Sequence, residues 1–197
     1  MIEKNLILNE GTLVDATLIH SSEPKKRKDD NGKTISNKAN DEDASYTSKR
    51  GRKHHGYKIH IATDTNSIIK EVITTTAKTH DSTQFDELIK DETKAVFADS
   101  GYMSQERKRT LRSKGIFNGI TERRVRGQSK LRTKQSKNNT KFSKVRALVE
   151  LPFAFIKKLM KYTETKYLGL HKNSQHVFLI AAAYNLRRMP KLIQRYE

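Results

Sequence analysis

Cysteine is missing altogether from the 197 residues, which excludes disulfides and thiolate metal sites. Long apolar runs are missing too. No segment approaches the roughly 20 apolar residues that span a bilayer, and the opening MIEKNLILNE lacks the charged start and apolar stretch of a secretory signal. No membrane role is expected, and the chain is expected in the cytoplasm, associated with the nucleoid. Apolar residues make up only 34% of the chain against 31% charged, so the core must be modest. The length suits one domain of ordinary size.

Acidic residues are in short supply. Forty Lys and Arg face 22 Asp and Glu, a formal charge of +18. Such a balance favours association with phosphate polyanions, because each neutralised phosphate releases condensed counterions. A solvated basic surface without a fixed ligand is the plainer alternative.

What the chain does have is a series of short apolar segments. Gly11 to Ile19 (GTLVDATLI) is rich in β-branched residues and reads as a strand. The Asp15 inside it is out of place, since a carboxylate in a core needs a partner or a cation. From residues 20 to 55 the composition turns polar and charged, with the KKRK cluster at Lys25 to Lys28. That stretch is expected to be a flexible polar insertion. GYKIHIATD (Gly56 to Asp64) and IIKEVITTTA (Ile68 to Ala77) flank a short polar turn and predict an antiparallel hairpin. Asp81 or Ser82 caps a short helix through about Lys90. KAVFA (Lys94 to Ala98) predicts a buried strand that ends at Asp99. A helix from about Ser104 to Ser113 and a strand from Gly115 to Ile120 follow. Residues 121–142 read as a second basic loop. Two helices close the chain, one from about Ser143 to Tyr162 and one from about Ser174 to Arg188, the latter stopped by Pro190. The fold class is therefore α/β, with a mixed five-stranded sheet flanked by helices and long basic loop insertions, in a single domain over residues 1–197.

Three acids stand where elements end or where burial disfavours them: Asp15, Asp99 and Glu150. If the first and fourth strands are neighbours, Asp15 and Asp99 approach each other at one edge of the sheet. Clustered carboxylates raise each other's pKa, and a divalent cation relieves that conflict while bridging phosphate. Taken singly, each acid is an ordinary solvated carboxylate.

The motifs VDATLI, GYKIHIATD, VFADSGY and RALVELPFAFIK resemble the DDE transposases of the insertion-sequence-five group, over roughly Gly11 to Met189. The resemblance implies a ribonuclease H-like catalytic domain in which Asp15, Asp99 and Glu150 are the catalytic and metal-binding residues. It implies two Mg²⁺ (or Mn²⁺) ions, and double-stranded DNA, both transposon ends and target, as partner. It also implies a homo-oligomer on DNA, since two ends must be joined. The implied function is DNA transposition by metal-dependent strand cleavage and strand transfer.

Arg146 precedes Glu150 by four residues and Lys157 follows it by seven. At about 100° per residue these fall on nearly one helix face, suited to a DNA backbone. An ordinary salt-bridged helix surface is the alternative. Lys58 and His60 on the hairpin are further DNA-binding candidates, although a half-buried histidine is more often structural. Ser143 occupies the position where the family commonly has a tyrosine. Pro152 means that the helix either begins near Glu150 or is kinked there. Family members usually carry an additional N-terminal region for recognising transposon ends, and here it is expected to be absent. The alternatives are therefore a truncated or inactive DNA-binding remnant, or a ribonuclease H-like nuclease. A purely structural basic protein gives no reason for Asp15 in a strand.

Overall fold

The computed structural model describes residues 10–28, 31–32, 34–36, 41–49, 51–124 and 127–196. The opening segment up to residue 9, and parts of the two expected loops, lie outside them.

The frame is a six-stranded mixed sheet. Strand β1 (Thr12–His20) pairs antiparallel with β5 (Arg52–Thr63) and parallel with β7 (Ala95–Ala98). Beyond β7 lies the two-residue β8 (Phe117–Asn118), also parallel. On its other side β5 pairs with β6 (Ile69–Thr76) and, over its first half, with β4 (Ser45–Lys49). A separate pair, β2 (Lys26–Lys28) and β3 (Thr34–Ser36), lies off this sheet.

Alternation along the strands sorts the core into two layers. Leu13, Ile59 and Ile61 face one side, together with Val149, Ile156, Val177, Ile180 and Tyr184. Val14, Ala62, Val96 and Ala98 face the other, against Phe85, Leu88, Tyr102 and Leu111. The first layer is covered by α3 (Thr133–Arg146), α4 (Glu150–Ala154) and α5 (Leu170–Tyr196). The second is covered by α1 (Phe85–Leu88) and α2 (Gln105–Ser113), the latter capped by Ser104 close to where a helix start was expected. Helices on both faces of a mixed sheet agree with the ribonuclease H-like class.

Several sequence expectations are corrected. The sheet has a sixth strand because β4 and the start of β5 form a hairpin within the stretch read as loop. Their side chains are polar, but the backbone groups pair all the same. Gly56 lets β5 pass close to β1 here, since a Cβ on it would sit 2.1 Å from the carbonyl oxygen of Ile19. The basic loop gives way to α3 at Thr133, and the strand expected over 115–120 shrinks to β8. Between α3 and α4 lies a 3₁₀ turn, Ala147–Val149, so the long helix expected from Ser143 is broken. Glu150 opens α4 with Pro152 in its first turn. Pro152 has no N–H for the Leu148 carbonyl four residues back, and the Ser67 hydroxyl donates to that carbonyl at 3.0 Å.

Helix α5 runs through Pro190 rather than stopping there. Pro190 and Leu186, whose carbonyl loses its helical donor, are both exposed, so water can serve that carbonyl. Burial of Leu192 against Ile68 draws the helix onward. Its N-terminus is held by acids from the polar stretch. Asp43 accepts from the Leu170 N–H at 2.7 Å, while buried Asp41 accepts from Gly169 N–H, Tyr57 and Ser21.

Candidate active site at the end of the parallel strands

The parallel ladder runs Thr12↔Val96, Leu13↔Phe97, Val14↔Ala98. One step further along the same register, Asp15 comes beside Asp99. The two carboxylates feel each other, for Asp99 helps to raise the pKa of Asp15. Burial is the larger cause of that rise. The Ala16 N–H and the Arg146 guanidinium oppose it. Asp99 is exposed and caps the short 3₁₀ turn Ser100–Tyr102, accepting from Ser100 N–H at 2.6 Å and from the Thr121 hydroxyl at 3.4 Å.

Arg146 arrives from the far end of the chain through aromatic packing. Phe142 on α3 stacks edge-on against Phe97 of β7 and Phe117 of β8, with ring centroids 6.0 and 5.7 Å apart. One helical turn later, Arg146 lies on the same face and places Nη1 2.9 Å from Asp15 Oδ2. The pair is mostly buried, with 22% and 25% of the side chains exposed.

Glu150 sits at the start of α4, one residue after fully buried Val149. It is exposed and does not join the aspartates: among the described residues no group of three His, Asp or Glu side chains is gathered closely enough to hold a metal ion. The Asp15–Asp99 pair has the hard oxygen donors a divalent cation takes. As folded, however, Asp15 Oδ1 accepts from Ala16 N–H and Oδ2 is held by Arg146. Two carboxylates and a guanidinium thus meet where three carboxylates were expected.

Lys157 lies half-buried in a π-helical turn, Phe155–Leu159, and burial followed by the nearby charge of Lys49 lowers its pKa. Lys58 is engaged by Asp81 at 2.9 Å and donates to the Thr79 carbonyl at 2.6 Å. His60 is fully buried on β5, with Nε2 2.8 Å from the Thr75 hydroxyl. Burial pushes it down to about 4, against the pull of Asp81 and with the help of Lys58. It is therefore neutral at physiological pH and joins β5 to β6 instead of presenting a cation to DNA.

Residues not singled out in the sequence also converge here. Tyr102 is buried with its hydroxyl unpartnered, and besides burial the charges of Asp81, Asp15 and Asp99 raise its pKa. Arg107 locks this floor. It donates to the carbonyls of Tyr102 and Ser82 and lies 4.3 Å over the Phe85 ring. Lys49 is felt by both Asp15 and Lys157. Tyr102 belongs to the ADSGY motif and was legible in principle. Lys49 was hidden in the polar stretch.

Among the described residues no helix is long and apolar enough to cross a membrane. A family model described as Transposase DDE domain matches residues 8–186. No solved structure matches the chain.

Proposed function

The chain belongs to the transposase DDE domain family, and from that premise we propose that it moves insertion-sequence DNA by metal-dependent strand cleavage and strand transfer. DNA transposition is the family's general activity, and DNA and divalent ions are its general partners. What supports the specific reading here is the meeting of Asp15 and Asp99 at the end of the parallel pair, with Arg146 held against them.

In this reading Asp15, Asp99 and Glu150 hold two Mg²⁺ or Mn²⁺ ions. Bound there, such ions activate an attacking oxygen and stabilise the leaving one. The rest falls to the chain's own side chains. Glu150, exposed at the head of α4, turns toward the aspartates when DNA engages. Arg146 exchanges Asp15 for a phosphate group, with which a guanidinium also pairs bidentately. Lys157, in the π-helical turn after α4, adds a second cation. Water then opens a P–O bond, leaving a 3′-hydroxyl on the element and a 5′-phosphate on the flank. That hydroxyl attacks a target phosphodiester in line and expels the target's 3′-oxygen. No covalent protein intermediate forms. Joining two ends calls for at least two copies on the DNA.

The test is nicking of a labelled duplex carrying the element's own ends, with Mg²⁺ or Mn²⁺, beside the Asp99→Ala variant. Metal-dependent nicks that vanish in the variant while DNA affinity persists support the reading. Nicks that survive the substitution refute the role of Asp99. Binding without nicking in both proteins favours a DNA-binding remnant.

A further inference from the structure

We infer that the cavity between β1, β4 and the turn after β6 is a phosphodiester subsite, holding the backbone of the DNA strand next to the position that reacts at Asp15 and Asp99. The identity of the occupant rests on the strand-cleavage reading above. The cavity and its charges do not.

The cavity measures about 270 Å³ and is open to solvent. Thr17 of β1, Ser48 and Lys49 of β4, Lys58 of β5, and Lys78 and His80 of the turn after β6 line it. Ala16, the residue after Asp15, forms part of the wall, so an occupant would lie against the strand that carries Asp15. Of the three lysines, Lys58 is already neutralised by Asp81. Lys49 and Lys78 are exposed, and neither forms an ion pair among the described residues. Lys49 also raises the local cation density, since Lys157 feels it as a like charge. The concavity therefore has two ammonium groups outside any ion pair, beside neutral hydroxyl donors, while the Asp81 carboxylate on its wall is taken up by Lys58. That donor set fits a phosphate diester, which takes charge-assisted hydrogen bonds from lysine and ordinary ones from serine and threonine.

Size and lining select the backbone over a base. Apart from the His80 imidazole, which is tied to the Ser82 hydroxyl, no aromatic ring lines the cavity, so it lacks the broad stacking platform on which proteins hold an unpaired base. Its volume falls just below the range of about 300–1,000 Å³ of small-molecule pockets, enough for one sugar-phosphate unit. The hairpin β4–β5 also gains a purpose. It places Ser48 and Lys49 on the cavity wall, which a disordered insertion could not do.

The test is metal-free binding of the full chain to a fluorescent duplex of mixed sequence, followed by anisotropy across a salt series. Lys49→Gln/Lys78→Gln is compared with Lys94→Gln/Lys114→Gln, two exposed lysines at the opposite end of β7. Each lost phosphate contact reduces the slope of log K against log salt by about 0.9. Both lysines serve the one phosphate of that unit, so the pocket pair should flatten the slope by about 0.9, and the distant pair should leave it unchanged. Lys49→Arg/Lys78→Arg should restore the wild-type slope, which separates lost charge from lost fold. An unaltered slope in the pocket pair, or an equal drop in both pairs, overturns the inference. Because no metal is present, the outcome is independent of nicking. Nicking that survives in Asp99→Ala sinks the cleavage reading and leaves a flattened slope standing.

Discussion

Replacing Arg146 with methionine keeps the apolar stem that packs along α3 and removes only the guanidinium. Asp15 is then left beside Asp99 with no cation bonded to it. Breaking a fully buried pair costs about 3–5 kcal/mol, whereas exposed pairs are worth about 0–1 kcal/mol. With 22% and 25% of the two side chains exposed, this pair falls between those limits, at about 2 kcal/mol. In a chain of this size each kcal/mol moves Tm by about 2–4 °C, so unfolding followed by circular dichroism should shift down by about 4–8 °C at neutral pH. The deficit should depend on pH. Asp15 already has a raised pKa, chiefly from burial, and losing Arg146 raises it further. The penalty is complete while Asp15 is ionised. It fades as pH falls through the folded-state value, because a protonated carboxyl needs no counter-charge. Adding Mn²⁺ should raise the Tm of Arg146→Met more than that of the wild type, since in the variant the cation need not displace a guanidinium. A Tm within about 1 °C of wild type, or a deficit unchanged between neutral and acid pH, would refute the electrostatic account.

Two further substitutions probe the frame that holds the site. Glu92 anchors the turn into β7: Oε1 accepts from the N–H groups of Thr93, Lys94 and Ala95, and Oε2 from Thr12 and Lys70. Burial pushes its carboxyl up, but these donors outweigh burial and hold it below the usual range. Glu92→Gln should cost about 2–4 kcal/mol at neutral pH. Wild type should lose that advantage as acid carries it through the depressed folded-state pKa; denaturation curves that coincide at pH 7 would exclude the role. Asn185 grips the edge of β6, with Oδ1 accepting from the Ile69 N–H and Nδ2 donating to the Ile69 carbonyl, both at 2.9 Å. Asn185→Ala should cost about 1–3 kcal/mol and speed amide exchange at Ile69, and unaltered exchange would count against it.

Much of this molecule is legible in the residues themselves. Runs of β-branched and apolar residues mark β1, β6 and β7, alternation marks the later half of β5, and Ser104 marks the start of α2. Asp15 stands out because a carboxylate inside an apolar strand needs a reason. These are local signals, carried by a few neighbouring side chains. The hairpin β4–β5 carries no such signal, because its stability comes from backbone pairing and its side chains are polar. Helix α3 is equally obscure: it has no apolar stripe, and its hold on the sheet comes from Phe142 meeting Phe97 and Phe117. Pro190 reads locally as a stop, yet burial of Leu192 against Ile68 overrides it.

The sequence alone thus determined the α/β class and the basic character, and singled out three acids as candidates, since each depends on composition or on neighbours along the chain. Only the tertiary structure decided that Asp15 meets Arg146 across 131 residues, that Glu150 stands apart from the aspartates, and that Lys49 and Lys78 share a cavity. Those outcomes depend on register and packing between distant segments, which no local pattern encodes.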